Sequence, residues 1–263
     1  MPKLSVCIIV YNEETKIERC LESVSFADEI IVVDAGSSDR TVELAGRFTE
    51  KIFIREFSDY SDQKNYAVSK AGGDWILSID ADETVDDRLR KEVLHTVNAE
   101  TVNEGYYINR INFMYGKRLD HFHQPDLNLR LFRKGAGKFV QPVHEYFECP
   151  GPVGRLENPL MHYSIAGLKE HIRKAAVYTT LEVECLRQKG GLVFWKCLFG
   201  LAGKPVFRFF QNYFYYNAWK EGMTGLVISF NSALYEMVRQ IKCLFAVFQK
   251  TPFAAGGKRE KIQ

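Results

Sequence analysis

Three carboxylates crowd into SIDADE at residues 78–83: Asp80, Asp82 and Glu83 follow directly on the tryptophan-led apolar run DWIL. The apolar run reads as a buried strand, so the charge arrives at a strand end. Asp80 and Asp82 are two apart, which lets both side chains lean toward the same side of a sheet. Two carboxylates held that close repel each other unless a cation sits between them or one is protonated. A divalent ion that prefers hard oxygen ligands, Mg2+ or Mn2+, resolves the conflict and can also bridge a diphosphate. The competing reading is that the acids cap the following helix, since Asp and Glu are favoured at helix N-termini. That reading suits Glu83, Asp86 and Asp87, whereas the Asp80 and Asp82 pair exceeds what one cap requires.

The elements around this pair alternate. LSVCIIV reads as a buried strand, EETKIERCLESV as a helix, EIIVVDAG as a strand and SDRTVELAGRF as a helix opened by a Ser/Asp cap. KIFIREF, SDQKNYAVSKA, DWILSID and DDRLRKEVLHTV continue the pattern. Strands and helices alternating at this spacing imply an α/β fold with a mostly parallel sheet and helices on both faces. In such sheets ligands bind beyond the carboxyl ends of the strands. The polar clusters fall there: Asn12 and Glu13 after the first strand, Asp34 to Asp39 after the second, Asp80 and Asp82 after the fourth.

Composition bounds the rest. The chain has 263 residues, 46% of them apolar, which excludes a disordered chain. Its net charge of +2 hides an asymmetry, since residues 1–163 carry 20 basic and 27 acidic groups and residues 164–263 carry 15 and 6. Two differently employed parts are expected. The six cysteines show neither CxxC spacing nor a Cys/His cluster of zinc type, consistent with reduced thiols in the cytosol. MPKLSVCIIVYNEE meets acid too early for a signal peptide, and no uninterrupted apolar stretch reaches the ~20 residues of a spanning helix.

The ordered set SVCIIVYNEE, IIVVDAGSSDRT and QKNYAVSKAGGDWILSIDADE resembles the GT-A glycosyltransferases of family 2 over residues 4 to about 95. In that family an Asp-x-Asp element chelates the metal on a nucleotide-sugar diphosphate. The resemblance implies that Tyr11, Asn12 and Glu13 border the nucleotide, that Asp34 approaches the uracil or ribose, and that Lys64 lies near the base or phosphates. It makes Asp82 and Asp80 the metal residues, with Mg2+ or Mn2+ as cofactor. With the charge asymmetry, the expected division is a catalytic domain over 1–163, with a nucleotide-sugar part to 100 and an acceptor part from 101, and a helical, membrane-associating region over 164–263.

Residues 104–163 are expected to build the acceptor side. GYYINRINFMYGKRL alternates like a hairpin turning at Tyr115-Gly116-Lys117. An inverting transfer needs a carboxylate to take the acceptor hydroxyl proton while metal and basic groups stabilise the leaving diphosphate. Glu145 in VHEYF and Asp126 in QPDLNLRLF offer themselves. The RLF, VHE and later HYS pattern resembles the subgroup of family 2 that builds the lipopolysaccharide inner core by adding glucose to a heptose. This implies UDP-glucose as donor and a lipid-linked saccharide as acceptor, with Glu145 favoured as base. The Glu-Asp motif that supplies the base in common family 2 enzymes is missing. Arg130 is a candidate diphosphate ligand or else a surface salt bridge, and His162 a third metal ligand, a phosphate donor or a structural residue. His121 and His123 read as acceptor-loop residues.

The last hundred residues are amphipathic. GLKEHIRKAAVYTTLEVECLRQKGG places Leu168, Ile172, Ala176, Thr179, Val183 and Leu186 at helical spacing, and a later helix does the same with Val227, Leu234, Val238, Ile241, Phe245 and Phe248. Between them aromatics mix with Lys196, Lys204, Arg208 and Lys220, as an interfacial helix presents to anionic lipid headgroups. The alternative is a helical subdomain or a homo-dimer contact. A peripheral position on the cytoplasmic face of the inner membrane is expected from the lipid-linked acceptor. Basic residues mixed into apolar helical faces, with no recognition motif, argue against a nucleic-acid partner. The rival functions are a sugar nucleotidyltransferase, for which YNEE stands where a Gly-rich phosphate loop belongs, and a non-catalytic membrane adaptor, which intact Asp80 and Asp82 disfavour.

Overall fold

The computed structural model describes residues 1–141, 145–165, 167–188 and 190–248. Val143 and His144 of the VHE motif lie outside the described residues. The elements begin β1 (Leu4–Val10), α1 (Ile17–Ser23), β2 (Glu29–Asp34), α2 (Thr41–Ala45), β3 (Ile52–Ile54), α3 (Tyr60–Lys70), β4 (Trp75–Asp80), β5 (Glu83–Thr84) and α4 (Asp87–Asn98). They continue with β6 (Gly105–Met114), β7 (Lys117–Leu119), β8 (Leu127–Arg133), β9 (Lys138–Val140), β10 (Tyr146–Glu148), β11 (Val153–Arg155), β12 (Leu160–Ile165), α5 (Leu168–Gln188), α6 (Phe194–Phe210) and α7 (Met223–Phe248). The main sheet runs β3-β2-β1-β4-β8-β6-β12-β5, with β7 and β11 also on β6, and β9 pairs with β10.

The chain divides into two units. The first holds Met1–Ile111 and Pro125–Tyr163, the second Asn112–Gln124 together with the helices that follow Ser164. The second unit therefore draws in the β7 hairpin, which the sequence groups with the acceptor part.

In the first unit β1, β2, β3 and β4 are parallel. The alternation of β1 explains why it sits centrally: Leu4, Val6, Ile8 and Val10 enter one apolar cluster with α1 and α4, while Cys7 and Ile9 enter a second with α3. A strand buried on both faces must be apolar throughout, as LSVCIIV nearly is. Beyond β4 the sheet becomes antiparallel, β8 pairing with β4 as Trp75↔Arg133, Ile76↔Phe132 and Leu77↔Leu131. That register carries Arg130 up beside the end of β4.

Helix starts follow local chemistry. Asp59 caps α3 by accepting the Asp62 N–H, and Asp86 caps α4 by accepting the N–H groups of Arg88 and Leu89. Glu83 takes no part in capping; it lies in β5 with its side chain fully buried. The cap reading therefore holds for Asp86 and fails for Glu83, because the chain makes one more strand before the helix begins. The β6–β7 turn falls at Tyr115 and Gly116, with φ of 54° and 74°. Two successive positive φ values give the primed turn that matches strand twist, and Gly116 meets this requirement without a steric cost.

In the second unit α5 and α6 both pack on α7. A π-turn at Gln211–Tyr215 and a 3-10 turn at Ala218–Glu221 link α6 to α7. Buried Glu221 accepts the His121 N–H at 2.6 Å, and the His123 ring stacks on Tyr216 at 3.7 Å. Both histidines of the HxH pair thereby serve the hairpin's attachment to its own unit.

The ring of Phe132, fully buried, stacks on Phe147 at 3.7 Å and meets Phe139 edge-on. This trio fixes the β9–β10 ribbon against β8. Phe132→Ala should cost about 3–5 kcal/mol by leaving a cavity, measured as a shift of the urea unfolding midpoint at unchanged slope.

Candidate active site

The strand ends gather the predicted residues. Val10 pairs with Asp34 and Ile9 with Asp80, so the ends of β2, β1 and β4 lie side by side. Tyr11, half-buried, Asn12, exposed, and Glu13, buried, follow β1 directly. Asn12 has φ of 55°, a conformation Asn tolerates, and its Oδ1 accepts the Ser38 N–H at 2.8 Å. Asp34 is 1% exposed, and one of its oxygens accepts the N–H groups of Gly36 and Ser37 at 2.8 Å each. Its other oxygen accepts the Ser37 hydroxyl. The structure thus shows Asp34 shaping the loop after β2, with both oxygens engaged.

Asp80 sits between two cations. Lys64 Nζ lies 2.8 Å from its Oδ1, and Arg130 Nη2 donates to its Oδ2 at 2.9 Å. Burial pushes the Asp80 carboxyl up, but Arg130 and Lys64 outweigh it and hold it well below the usual carboxylate range. The same Lys64 Nζ is 2.7 Å from Glu145 Oε1. One buried ammonium therefore ties the end of β4 to the segment before β10.

Arg130 is 5% exposed, and Nη2 also donates to Glu83 Oε1 at 2.9 Å. It forms a buried bridge, so the surface salt bridge is excluded, and its guanidinium is committed to two carboxylates of the chain itself. Glu83 Oε2 accepts the Asp80 N–H at 2.8 Å, which fixes the backbone of the aspartate that Arg130 grips. Burial raises the Glu83 carboxyl; Arg130 opposes that rise and Asp80 adds to it. Arg110 Nη1 reaches Glu83 Oε1 at 3.5 Å, and its Nε donates to Asp126 Oδ2 at 2.8 Å. Asp126 Oδ1 accepts from Asn128 at 2.9 Å. Asp126 is thus engaged at both oxygens.

Asp82 faces a different set. Lys16 Nζ is 3.7 Å from its Oδ2 and also 3.7 Å from Glu13 Oε2, so a second lysine is shared between an aspartate and a glutamate. β12 pairs with β5 as His162↔Glu83, which lays His162 Nε2 3.3 Å from Asp82 Oδ2. Burial pushes the Asp82 carboxyl up, while His162 and Lys16 hold it below the ordinary value. The repulsion inferred from the sequence is therefore met by the chain's own side chains, Lys64 and Arg130 at Asp80 and Lys16 at Asp82.

Glu13, Asp80, Asp82, Glu83, Asp126 and Glu145 share Lys16, Lys64, Arg110 and Arg130, each of which contacts two of these carboxylates. The contacts of Lys16 with Glu13 and Asp82, 3.7 Å each, are the longest of the group. Among the described residues no three or more His, Cys, Asp or Glu form a preassembled metal cage.

Lys16 and Arg110 are the members that sequence reasoning passed over, and Glu83 is the one it assigned to a helix cap. A signal for Arg110 and for its buried acid was present. Arg110 and Arg130 interrupt the apolar strands YYINRINF and LNLRLF, and an arginine inside a buried run needs a buried acid as partner.

A sheet of parallel strands whose carboxyl ends carry a cluster of polar and charged side chains defines an α/β class in which ligands bind at that edge. The model of the glycosyl transferase family 2 matches residues 5–160, more than half the chain, and the chain belongs to that family. It is a glycosyltransferase with the GT-A fold, an enzyme of the transferase class, related to a protein of lipopolysaccharide core biosynthesis. That relative, the lipopolysaccharide core biosynthesis glycosyltransferase LpsC of Rhizobium meliloti (strain 1021), is 29% identical over 255 residues, covering 92% of this chain and 93% of its own. A glycosyltransferase of Rickettsia conorii, itself uncharacterized, is 28% identical over 255 residues, covering 91% and 89%. Among solved structures, S. aureus TarS with UDP-GlcNAc aligns at a TM-score of 0.47 and 17% identity over 63% of this chain and 59% of that one.

Removing Arg130 alone leaves Glu83 without its closest counter-charge in a dry setting. Arg130→Met should cost about 3–5 kcal/mol, and adding Glu83→Leu should restore part of the loss. Urea titrations of the two variants measure both. The pH dependence has opposite signs at the two acids. Asp80, held low, contributes stability that is present above the ordinary carboxylate range and is lost as pH falls through its lowered value. Glu83, held high, favours the protonated fold, so its part of the stability declines as pH rises through its raised value. Acid unfolding should therefore be steeper in the wild type than in Arg130→Met.

Proposed function

We propose that the chain is an inverting glycosyltransferase that moves glucose from UDP-glucose to a lipid-linked saccharide of the lipopolysaccharide inner core, with Glu145 as the base. The observation that carries this reading is the shared lysine: Lys64 lies 2.8 Å from Asp80 and 2.7 Å from Glu145, so a donor-side and an acceptor-side carboxylate stand on one ammonium. The core-biosynthesis name of the LpsC relative, matched along nearly its full length, supports the acceptor class.

Glu145 takes the proton of the attacking acceptor hydroxyl while the bond from the sugar to the diphosphate breaks on the opposite face. One carboxylate acting in one displacement inverts the anomeric centre. Lys64, 2.7 Å from Glu145 Oε1, orients that carboxylate. Asp126, committed to Arg110 and Asn128, is less suited to accept a proton.

A divalent ion fits this cluster. The clustered carboxylate oxygens are hard donors that suit Mg2+ or Mn2+, and ions of this kind take one or two protein carboxylates and complete their shell with substrate phosphates and water. Asp82 would hold it, with Asp80 and His162 beside it, and the ion would supply charge to the leaving diphosphate. Tyr11, Asn12 and Glu13 would border the nucleotide. A lipid-anchored acceptor would bring the chain to the cytoplasmic face of the inner membrane.

Glu145→Gln should keep its affinity for UDP-glucose and lose at least about a thousandfold in single-turnover transfer, while Asp126→Asn should lose far less. The reverse ranking assigns the base to Asp126. Asp82→Asn should need much more Mn2+ to reach half its maximal rate, whereas Asp80→Asn should also unfold at lower urea, because it empties one side of the Arg130 bridge.

A further inference from the structure

Helices α6 and α7 of the second unit are built inside out. On α7 the buried positions are small or polar: Gly225, Ser229, Glu236, Gln240, Cys243 and Ala246, with Ile228 the one large apolar member. On α6 they are Cys197 and Gly200. A Cβ on Gly200 would meet the Gln240 amide at 2.6 Å, and one on Gly225 would meet the Ala218 carbonyl at 1.7 Å, so the contact is closed by backbone approach. Gln240 donates to Glu236 at 2.7 Å within the seam.

The large apolar residues point the other way. Trp195, Phe199, Val206 and Phe210 follow one another at spacings of four, seven and four along α6, which sets them on one stripe, and they are 61%, 71%, 56% and 52% exposed. Phe214, Tyr215 and Trp219 prolong the surface through the two turns. On α7 Met223, Val227, Phe230, Leu234 and Met237 repeat at four and three, all exposed, with Phe245 and Phe248 further along. A water-soluble helix pair puts these residues in its seam and its polar groups outside. Helices that meet through small and polar residues and turn apolar ones outward are adapted to lipid. Yet no helix among the described residues is long and apolar enough to cross a membrane.

We infer that the α6–α7 face is a monotopic membrane anchor that lies in one leaflet of an anionic bilayer. Charge chooses between lipid and a second copy of the chain. Residues 190–220 contain Lys196, Lys204, Arg208 and Lys220 and no acid. A two-fold contact brings a patch against itself, setting these cations against their own kind, whereas anionic headgroups complement them. The aromatic stripe then enters the boundary between headgroups and acyl chains. The inference rests on the helices alone and is independent of which sugar the first unit transfers.

Three tryptophans make the test direct. Trp75 is fully buried, so a spectral response to lipid reports Trp195 and Trp219. The full chain is mixed with phosphatidylcholine vesicles with and without phosphatidylglycerol, and sedimentation and tryptophan emission are followed with salt. The expected result is a blue shift and co-sedimentation with the anionic vesicles, weakened but not abolished by salt. Phe199→Ser combined with Phe210→Ser should weaken binding about tenfold or more at every salt concentration. Lys204→Glu combined with Arg208→Glu should remove only the preference for anionic lipid. Circular dichroism and unchanged UDP-glucose hydrolysis in both variants separate failure of the anchor from failure of the active site. A chain that ignores both vesicle types, or binds them regardless of the aromatic substitutions, overturns the inference. So does a stable dimer that Phe230→Asp splits, which assigns the face to a second copy.

Discussion

Arg130 is the residue on which the site is built. Its guanidinium sits in a dry position between Asp80 and Glu83, and a buried charge of this kind persists only with partners that satisfy its donors. The requirement reaches outward in several directions. Glu83 must stay in a strand to face the guanidinium, which sets a short β5 between β4 and α4 and gives β12 an edge to pair with. That pairing lays His162 beside Asp82. Asp80, fixed by Arg130, fixes Lys64, and Lys64 in turn holds Glu145. A single ionic commitment in β8 thus orders groups contributed by β4, β5, α3 and the segment before β10.

The parallel half of the first unit was legible in the sequence because its signals are local. β1, β2 and β4 are apolar runs ending in polar residues, and Asp59 and Asp86 open α3 and α4 through their own following N–H groups. β1 and β4 lie where the sequence puts them, at Leu4–Val10 and Trp75–Asp80. The antiparallel half is non-local. That β8 inserts beside β4, and that two residues after Asp82 form a strand, depends on pairing between segments dozens of residues apart. Glu83 was misread for this reason: its three-residue distance from Asp86 suits a helix start, while its actual partner stands forty-seven positions away.

The carboxylate pair carries a similar lesson. Repulsion between Asp80 and Asp82 correctly demands cations nearby, but spacing cannot say which cations. Lys64 and Arg130 meet the demand at Asp80, and Lys16 meets it at Asp82, with the His162 ring alongside. In the second unit the sequence gives helical periodicity but not its sense. The apolar spacing of Val227, Leu234, Phe245 and Phe248 is equally compatible with a seam or an outer face, and only the burial of Gly225, Ser229, Glu236 and Gln240 assigns these large residues to the outside.

The proposed single displacement at the Lys64-bridged cluster makes one demand that neither binding nor mutational kinetics can imitate. Glucose in UDP-glucose is α-linked, and one in-line attack assisted by one carboxylate delivers it β-linked. The measurement is the anomeric proton–proton coupling of the newly formed linkage, read by NMR on a product made from isotopically labelled UDP-glucose and a delipidated inner-core acceptor. A large coupling, the signature of a β-glucoside, is the predicted result; a small one, showing an α-linkage and retention, would contradict the mechanism and require a second nucleophile in the site.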